Sequence, residues 1–222
     1  MFGSRAIAVR GVTRRYGPAW ILRGVDARFC AGTITVLEGE NGAGKSTLLG
    51  IVGGLIQPSG GAVIWEPESV DVGARRHAIG WVGHESSSYR DLTARENVTL
   101  VADVHGISRA AVAASLERVG AMAFADSRVG TLSRGQKQRI ALARGIVHAP
   151  ELLLLDEPFT GLDAKGSDTL EQILVEEGRR GAILLVVSHD RRLASRISGQ
   201  SLLLERGRAR FTTGRNGCTS ID

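Results

Sequence analysis

The sequence predicts an α/β fold with a parallel sheet at its centre and an antiparallel β-layer near the N-terminus. Leu152–Leu155 and Ile183–Val187 are short runs with no polar residue. Strands buried on both faces of a parallel sheet read this way. Such runs alternate with helical patterns: Ile34–Leu37 reads as a strand, then comes a Gly-rich turn, then an apolar helix expected from Lys45 to Ile56. That alternation is the mark of the α/β class. The N-terminal third differs. Ile7–Val12, Ala27–Phe29 and Ala62–Trp65 look like short strands separated by Gly, Asp and Pro turns.

Each remaining element has a local reason. Leu92 to Val119 reads as helices, because Thr93 and Glu96 have capping-box spacing and Ser108 precedes an Ala- and Leu-rich run. From Gly214 onward the periodicity is weak, and the tail is expected to fray. With 222 residues the chain is expected to form one domain, 1–222, with a small subdomain inside it.

Composition narrows the function classes. The formal charge is 28 − 23 = +5, and 25 of the 28 basic residues are Arg scattered along the chain. A nucleic-acid footprint is normally a clustered stripe, so no direct nucleic-acid partner is expected. No apolar run approaches the roughly 18–20 residues that span a bilayer, and the N-terminus lacks a signal-peptide core. A location on the cytoplasmic side is expected. Cys30 and Cys218 lack CxxC spacing and read as free thiols.

Gly39-Glu40-Asn41-Gly42-Ala43-Gly44-Lys45-Ser46-Thr47 matches GxxxxGK[ST], follows a predicted strand and opens a predicted helix. Glycines let backbone N–H groups turn inward around an anion, and the helix start adds partial positive charge. Lys45 can reach the β- and γ-phosphates, and Ser46 can offer its hydroxyl to Mg²⁺. The expected core is that of a P-loop NTPase. Kinases and GTPases carry the same loop, so the loop does not choose among them.

Leu152–Leu155 ends in Asp156 and Glu157. A parallel strand delivers side chains to its C-terminal edge, where α/β sheets bind ligands. Asp156 would face Mg²⁺, and Glu157 is placed to take a proton from the attacking water. Two solvated acids at a strand end is the plain alternative.

Leu132-Ser133-Arg134-Gly135-Gln136 precedes an apolar helix, and Ser133 with Gln136 makes a capping box. Taken alone it is a well-capped helix. Its place in the chain says more. Ser133 lies 88 residues after Lys45, and the Asp156-Glu157 strand follows. Thr160-Gly161-Leu162-Asp163 and Val187-Ser188-His189-Asp190 come next, and Arg15-Tyr16-Gly17 lies upstream.

In this order and spacing the sequence resembles the ATP-binding-cassette (ABC) ATPases. Leu132–Gln136 looks like their signature motif LSGGQ, 160–163 like their D-loop, and His189 like their switch histidine. The resemblance implies a RecA-like parallel sheet flanked by helices, an N-terminal antiparallel β-subdomain, and a helical signature subdomain at about 86–146. It implies ATP hydrolysis with ATP and Mg²⁺ as ligands. Catalysis would fall to Glu157, His189 and Lys45. Nucleotide would be held by Tyr16 (against adenine), Gly39, Asn41, Gly42, Ala43, Gly44, Lys45, Ser46 and Thr47. His84 would lie near the metal, itself bound by Ser46 and Asp156. Ser133, Gly135 and Gln136 would reach the ATP of a second copy, and Asp163 would link the two sites across a homodimer.

Two departures matter. His84 stands where the family usually has Gln, and imidazole is a poor ligand for Mg²⁺, so three readings stand: His84 acts through a water, Glu85 supplies the oxygen, or neither touches the metal. Arg134 replaces the first Gly of the signature, and Gly135 keeps the second. Gly83-His84 and Asp91-Leu92-Thr93-Ala94-Arg95-Glu96-Asn97 resemble the haem-exporter ATPases of cytochrome c maturation. The resemblance therefore implies an exporter subunit acting on a separate integral membrane protein at the cytoplasmic face of the inner membrane. Another ABC exporter, for drugs, lipids or polysaccharides, is the first alternative. A soluble cassette acting on nucleic acid or ribosomes, and an unrelated P-loop kinase, are the others.

Overall fold

The computed structural model describes residues 5–66, 77–83, 88–190, 192–197 and 199–213. Its strands are β1 (Ala6–Tyr16), β2 (Ala19–Cys30), β3 (Ile34–Glu38), β4 (Gly60–Glu66), β5 (Ile79–Val82), β6 (Leu152–Asp156), β7 (Ile183–Val187), β8 (Gln200–Glu205) and β9 (Arg208–Thr213). The helices are α1 (Lys45–Val52), α2 (Ala94–Val104), α3 (Arg109–Arg118), α4 (Arg134–Ile146), α5 (Ala164–Arg179) and the single turn α6 (Leu193–Arg196).

One sheet is antiparallel, in the order β2-β1-β4; the other runs β5-β6-β7-β3-β8-β9. In the larger sheet every pairing is parallel except that of β9 with β8. The all-leucine run of β6 is explained by its two faces. Leu152 and Leu154 join one apolar cluster with α1 and the antiparallel strands, while Leu153 and Leu155 join a second with α2, α3, α4 and α5. Each such leucine contributes about 1.5–3 kcal/mol by leaving water. The described residues thus cover the sheet on both sides, which leaves its strand ends for ligands.

Strands β6, β7 and β3 are immediate neighbours and run the same way. Their C-terminal ends therefore open side by side, followed by Glu157, Ser188 and Gly39. This edge gathers the chemistry described below.

The helical stretch is pinned by one amide. Asn97 on α2 is fully buried. Its Nδ2 donates to the carbonyls of Tyr89 at 2.9 Å and Thr93 at 2.9 Å, and its Oδ1 accepts from Tyr89 N–H at 2.8 Å. Both foreseen capping boxes form. Thr93 caps α2 with Glu96, and Ser133 caps α4 with Gln136. Three histidines meet where α2, α4 and β5 converge. The rings of His105 and His148 stack with centroids 4.0 Å apart, and His77 meets His105 edge-on at 5.1 Å. His148 Nε2 lies 3.2 Å from the Ile79 carbonyl. Burial pushes its imidazole down to about 4.

The sequence expectations need three corrections. Helix α1 stops at Val52 rather than Ile56, because Gly53 caps it and Gly54 turns left-handed at φ 71°. The β1–β2 hairpin is longer than the short strands expected, and β8 and β9 were not anticipated. Cys30 is disulfide-bonded rather than a free thiol.

Candidate functional site

The loop between β3 and α1 wraps a buried ammonium. Lys45, 7% exposed, donates from Nζ to the carbonyls of Gly39 at 2.9 Å and Glu40 at 3.0 Å. The turn into α1 needs glycine at position 44. Its φ is 99°, and a Cβ there would stand 2.8 Å from Ile21 Cγ2. The strand therefore passes into the helix without a side chain in the way, and α1 presents its first N–H groups to the cleft. Ser46 is exposed at that helix start.

Strand β6 delivers Asp156, 8% exposed, and then Glu157. Glu157 has a left-handed backbone, φ 52°, uncommon for a residue with a side chain. Its N–H donates to the Val187 carbonyl at 3.1 Å, which ties it to β7. Strand β7 leads to His189, whose Nε2 lies 2.9 Å from Glu157 Oε1. The turn carrying His189 is braced: Asp190 N–H donates to Ser188 Oγ at 3.1 Å. The Asp190 carboxyl is held below its usual range by the Arg192 N–H and by Arg196.

These groups share one cleft of about 520 Å³, within the range of small-molecule sites. Lys45, Ser46, Asp156, Glu157 and His189 line it with Asn41, Gly42, Gly44 and Thr47. Tyr16 stands at its rim, with the Arg14 guanidinium 4.4 Å from its ring centroid. Gly39 and Ala43 line an adjoining recess of about 900 Å³ that shares Asn41, Gly42 and His189. The arrangement brings a phosphate-binding loop and a carboxylate–imidazole pair into one cleft.

The donor set suits Mg²⁺. Ser46 and Asp156 are oxygen donors in one cleft. Among the described residues no three His, Cys, Asp or Glu side chains are arranged to hold a metal by themselves. Mg²⁺ is ordinarily bound by one or two protein oxygens plus substrate phosphates, and this set has that form.

Ser133, Gly135, Gln136 and Asp163 do not line this cleft. They form a second group at the starts of α4 and α5. Gly135 approaches the 160–163 loop so closely that a Cβ would stand 2.6 Å from the Gly161 carbonyl oxygen. Asp163 caps α5 by accepting from Gly166 N–H at 2.9 Å, and it receives Arg139 Nη2 at 3.1 Å. The Gly166 hydrogen bond, then Arg139, holds its carboxyl below the usual range. His84 and Glu85 lie outside the described residues. Sequence reasoning missed Ile21, which lines the cleft from β2 and packs on Gly44. Nothing local marks Ile21, because its contact depends on β2 folding beside the phosphate loop.

A cleft at three parallel strand ends, with a glycine loop, a buried lysine and a carboxylate pair, is the site of a P-loop nucleotide-binding protein. The chain matches the ABC transporter family over residues 22–160 and belongs to it. It is an ABC ATPase, a nucleotide-binding subunit. It is 38% identical over 170 residues to the cytochrome c biogenesis ATP-binding export protein CcmA of Pseudomonas putida, covering 74% of this chain and 80% of that one. It is 34% identical over 203 residues to the aliphatic sulfonates import ATP-binding protein SsuB 2 of Xanthomonas axonopodis pv. citri, covering 91% and 68%. Its fold matches a dimeric ATP-binding cassette in a post-hydrolysis state bound to ADP and Pi. The TM-score is 0.83 and the identity 27%, over 94% of this chain and 100% of that one.

Proposed function

We propose that the chain is one cassette, 1–222 with a helical subdomain at 86–146, that hydrolyses ATP as a homodimer and drives a separate membrane subunit in haem export for cytochrome c maturation. The Glu157–His189 pair, 2.9 Å apart in the cleft that Lys45 also lines, carries the hydrolytic part. Glu157 takes the proton of the attacking water. His189 orients that carboxylate and contacts the γ-phosphate. Lys45 and the loop N–H groups hold the β- and γ-phosphates, and Tyr16 takes the adenine.

Ser46 and Asp156 would hold Mg²⁺, which when bound offsets charge on the phosphate oxygens. Ser133, Gly135 and Gln136, set apart from their own chain's cleft, serve the nucleotide of the second copy. The family's dimeric structural relative supports that arrangement.

The likeness to the cytochrome c biogenesis export protein supports the haem reading. The likeness to the sulfonate import protein over more of the chain supports a second reading, an importer subunit. No described helix is long and apolar enough to cross a membrane, so either reading needs a membrane partner. The test is co-purification from detergent-solubilised membranes with ATP and the Glu157→Gln variant. A haem-export membrane protein, with haem-stimulated ATPase of the wild type, supports the first reading. An importer permease replaces it with the second, and recovery of ribosomes or DNA alone overturns both.

A further inference from the structure

The loop that follows the attacking carboxylate is fixed at both ends. At its start, Glu157 N–H is tied to the Val187 carbonyl. Two tight turns follow: Thr160 N–H donates to the Glu157 carbonyl and Leu162 N–H to the Phe159 carbonyl, each at 3.2 Å. At its end stands Asp163, held by Arg139 from α4. Arg139 is 18% exposed although it is an arginine. Its other arm, Nη1, reaches back toward the carbonyls of Val119 and Gly120 at 3.4 and 3.5 Å. One guanidinium thus joins the end of α3, the signature helix α4 and the cap of α5.

This has an energetic consequence. A left-handed backbone at a residue with a Cβ costs about 1–2 kcal/mol and persists only where the surroundings enforce it. The β7 contact fixes the Glu157 N–H, His189 holds the carboxylate, and the turns that lead to Asp163 hold the carbonyl side. Removing Arg139 leaves Asp163 its Gly166 N–H bond but takes away the tie to α4, so the turns gain freedom and the backbone that carries the Glu157 carboxylate gains it with them.

We propose that Arg139 is a positioning residue for hydrolysis: by clamping Asp163 against the signature helix it sets the 157–163 loop and so aims Glu157 at the water. The proposal rests on the reading of Glu157 as base. Ser133 caps the helix that carries Arg139, so the clamp would link the signature segment to its own chain's carboxylate.

The test uses the full chain and compares Arg139→Ala, Arg139→Lys, Asp163→Asn and the double variant Arg139→Ala/Asp163→Asn. ATP turnover, nucleotide Kd and Tm are measured for each. A displacement of about 1 Å at a reacting group can cost up to about 100-fold, so Arg139→Ala should lower kcat by roughly 10- to 100-fold with Kd unchanged. Arg139→Lys should recover part of that loss, because an ammonium can still reach Asp163. The double variant should be no slower than the slower single one, as coupled residues require.

Turnover within twofold of wild type in Arg139→Ala overturns the proposal. So does a fall in Kd affinity and Tm together with kcat, which is a folding defect. If Arg139→Ala does not fold, Asp163→Asn decides by the same criteria. Glu157→Gln is run in parallel: normal turnover there rejects Glu157 as base, whereas normal turnover in Arg139→Ala with a dead Glu157→Gln rejects the clamp alone.

Discussion

His189 Nε2 and Glu157 Oε1 are 2.9 Å apart although they come from the ends of different strands, β7 and β6. The pairing gives the carboxylate a fixed orientation in a half-open cleft. Replacing Glu157 by Gln keeps the shape and removes the basicity. ATP binding should persist while turnover falls by about 10²–10⁴-fold, the usual contribution of a positioned base. Single-turnover hydrolysis with a parallel nucleotide-binding titration checks both halves, and unchanged turnover removes Glu157 from the mechanism.

Lys45 is already hydrogen-bonded to two loop carbonyls, so its charge is held in the loop before any phosphate arrives. A hydrogen bond to a charged group is worth about 1.5–3 kcal/mol. Lys45→Ala should therefore weaken ATP binding by roughly 10- to 100-fold. Calorimetric titration measures this directly, and equal affinity rejects the loop as the phosphate site.

Ser133 lies away from its own chain's cleft. Ser133→Arg should abolish steady-state hydrolysis while leaving ATP binding by the isolated chain intact. Loss of binding as well would point to misfolding of α4, whose cap this residue also supplies.

Asn97 satisfies three groups of the 89–93 segment from a fully buried position. Asn97→Ala takes the amide from the Tyr89 N–H and carbonyl, at about 1–3 kcal/mol each at most, while the Thr93 carbonyl keeps the backbone N–H of residue 97 at 3.0 Å. A Tm drop of several degrees is expected, with protease sensitivity rising first around Tyr89. The phosphate cleft should keep its nucleotide affinity.

His148 is kept neutral in the fold, its imidazole pushed down to about 4 mainly by burial. An unfolded histidine titrates near 6.5. The fold therefore has its full stability above about pH 6.5 and loses it as pH falls toward 4, because the unfolded chain takes up the proton first. After discounting for partial exposure the loss should be about 1–3 kcal/mol. His148→Phe should flatten the pH dependence of denaturant midpoints over that window.

Much of the site was legible because its parts are local. The phosphate loop, Asp156-Glu157 and the Ser133/Gln136 cap each depend on residues within a few positions, and their order placed them on one sheet edge. Ile21, Asn97 and Arg139 were not legible in their roles. Each acts on a partner that only the tertiary fold brings near: Gly44, Tyr89 and Asp163. The β8–β9 hairpin was missed because its turn, Arg206-Gly207, has left-handed φ at both residues while carrying Arg where Asn or Asp usually signals such a turn. The length of α1 was overestimated because apolar Leu55 and Ile56 continue the pattern past the glycines that end it.

The two-faced leucine run of β6 makes its length less negotiable than its composition. Exchanging one of Leu152–Leu155 for isoleucine leaves each face greasy and keeps the two acids at the rim. Deleting one residue turns every later side chain to the opposite face and carries Asp156 and Glu157 away from the lysine and the histidine. Natural variation in this strand should therefore consist of swaps among aliphatic residues, with insertions and deletions purged.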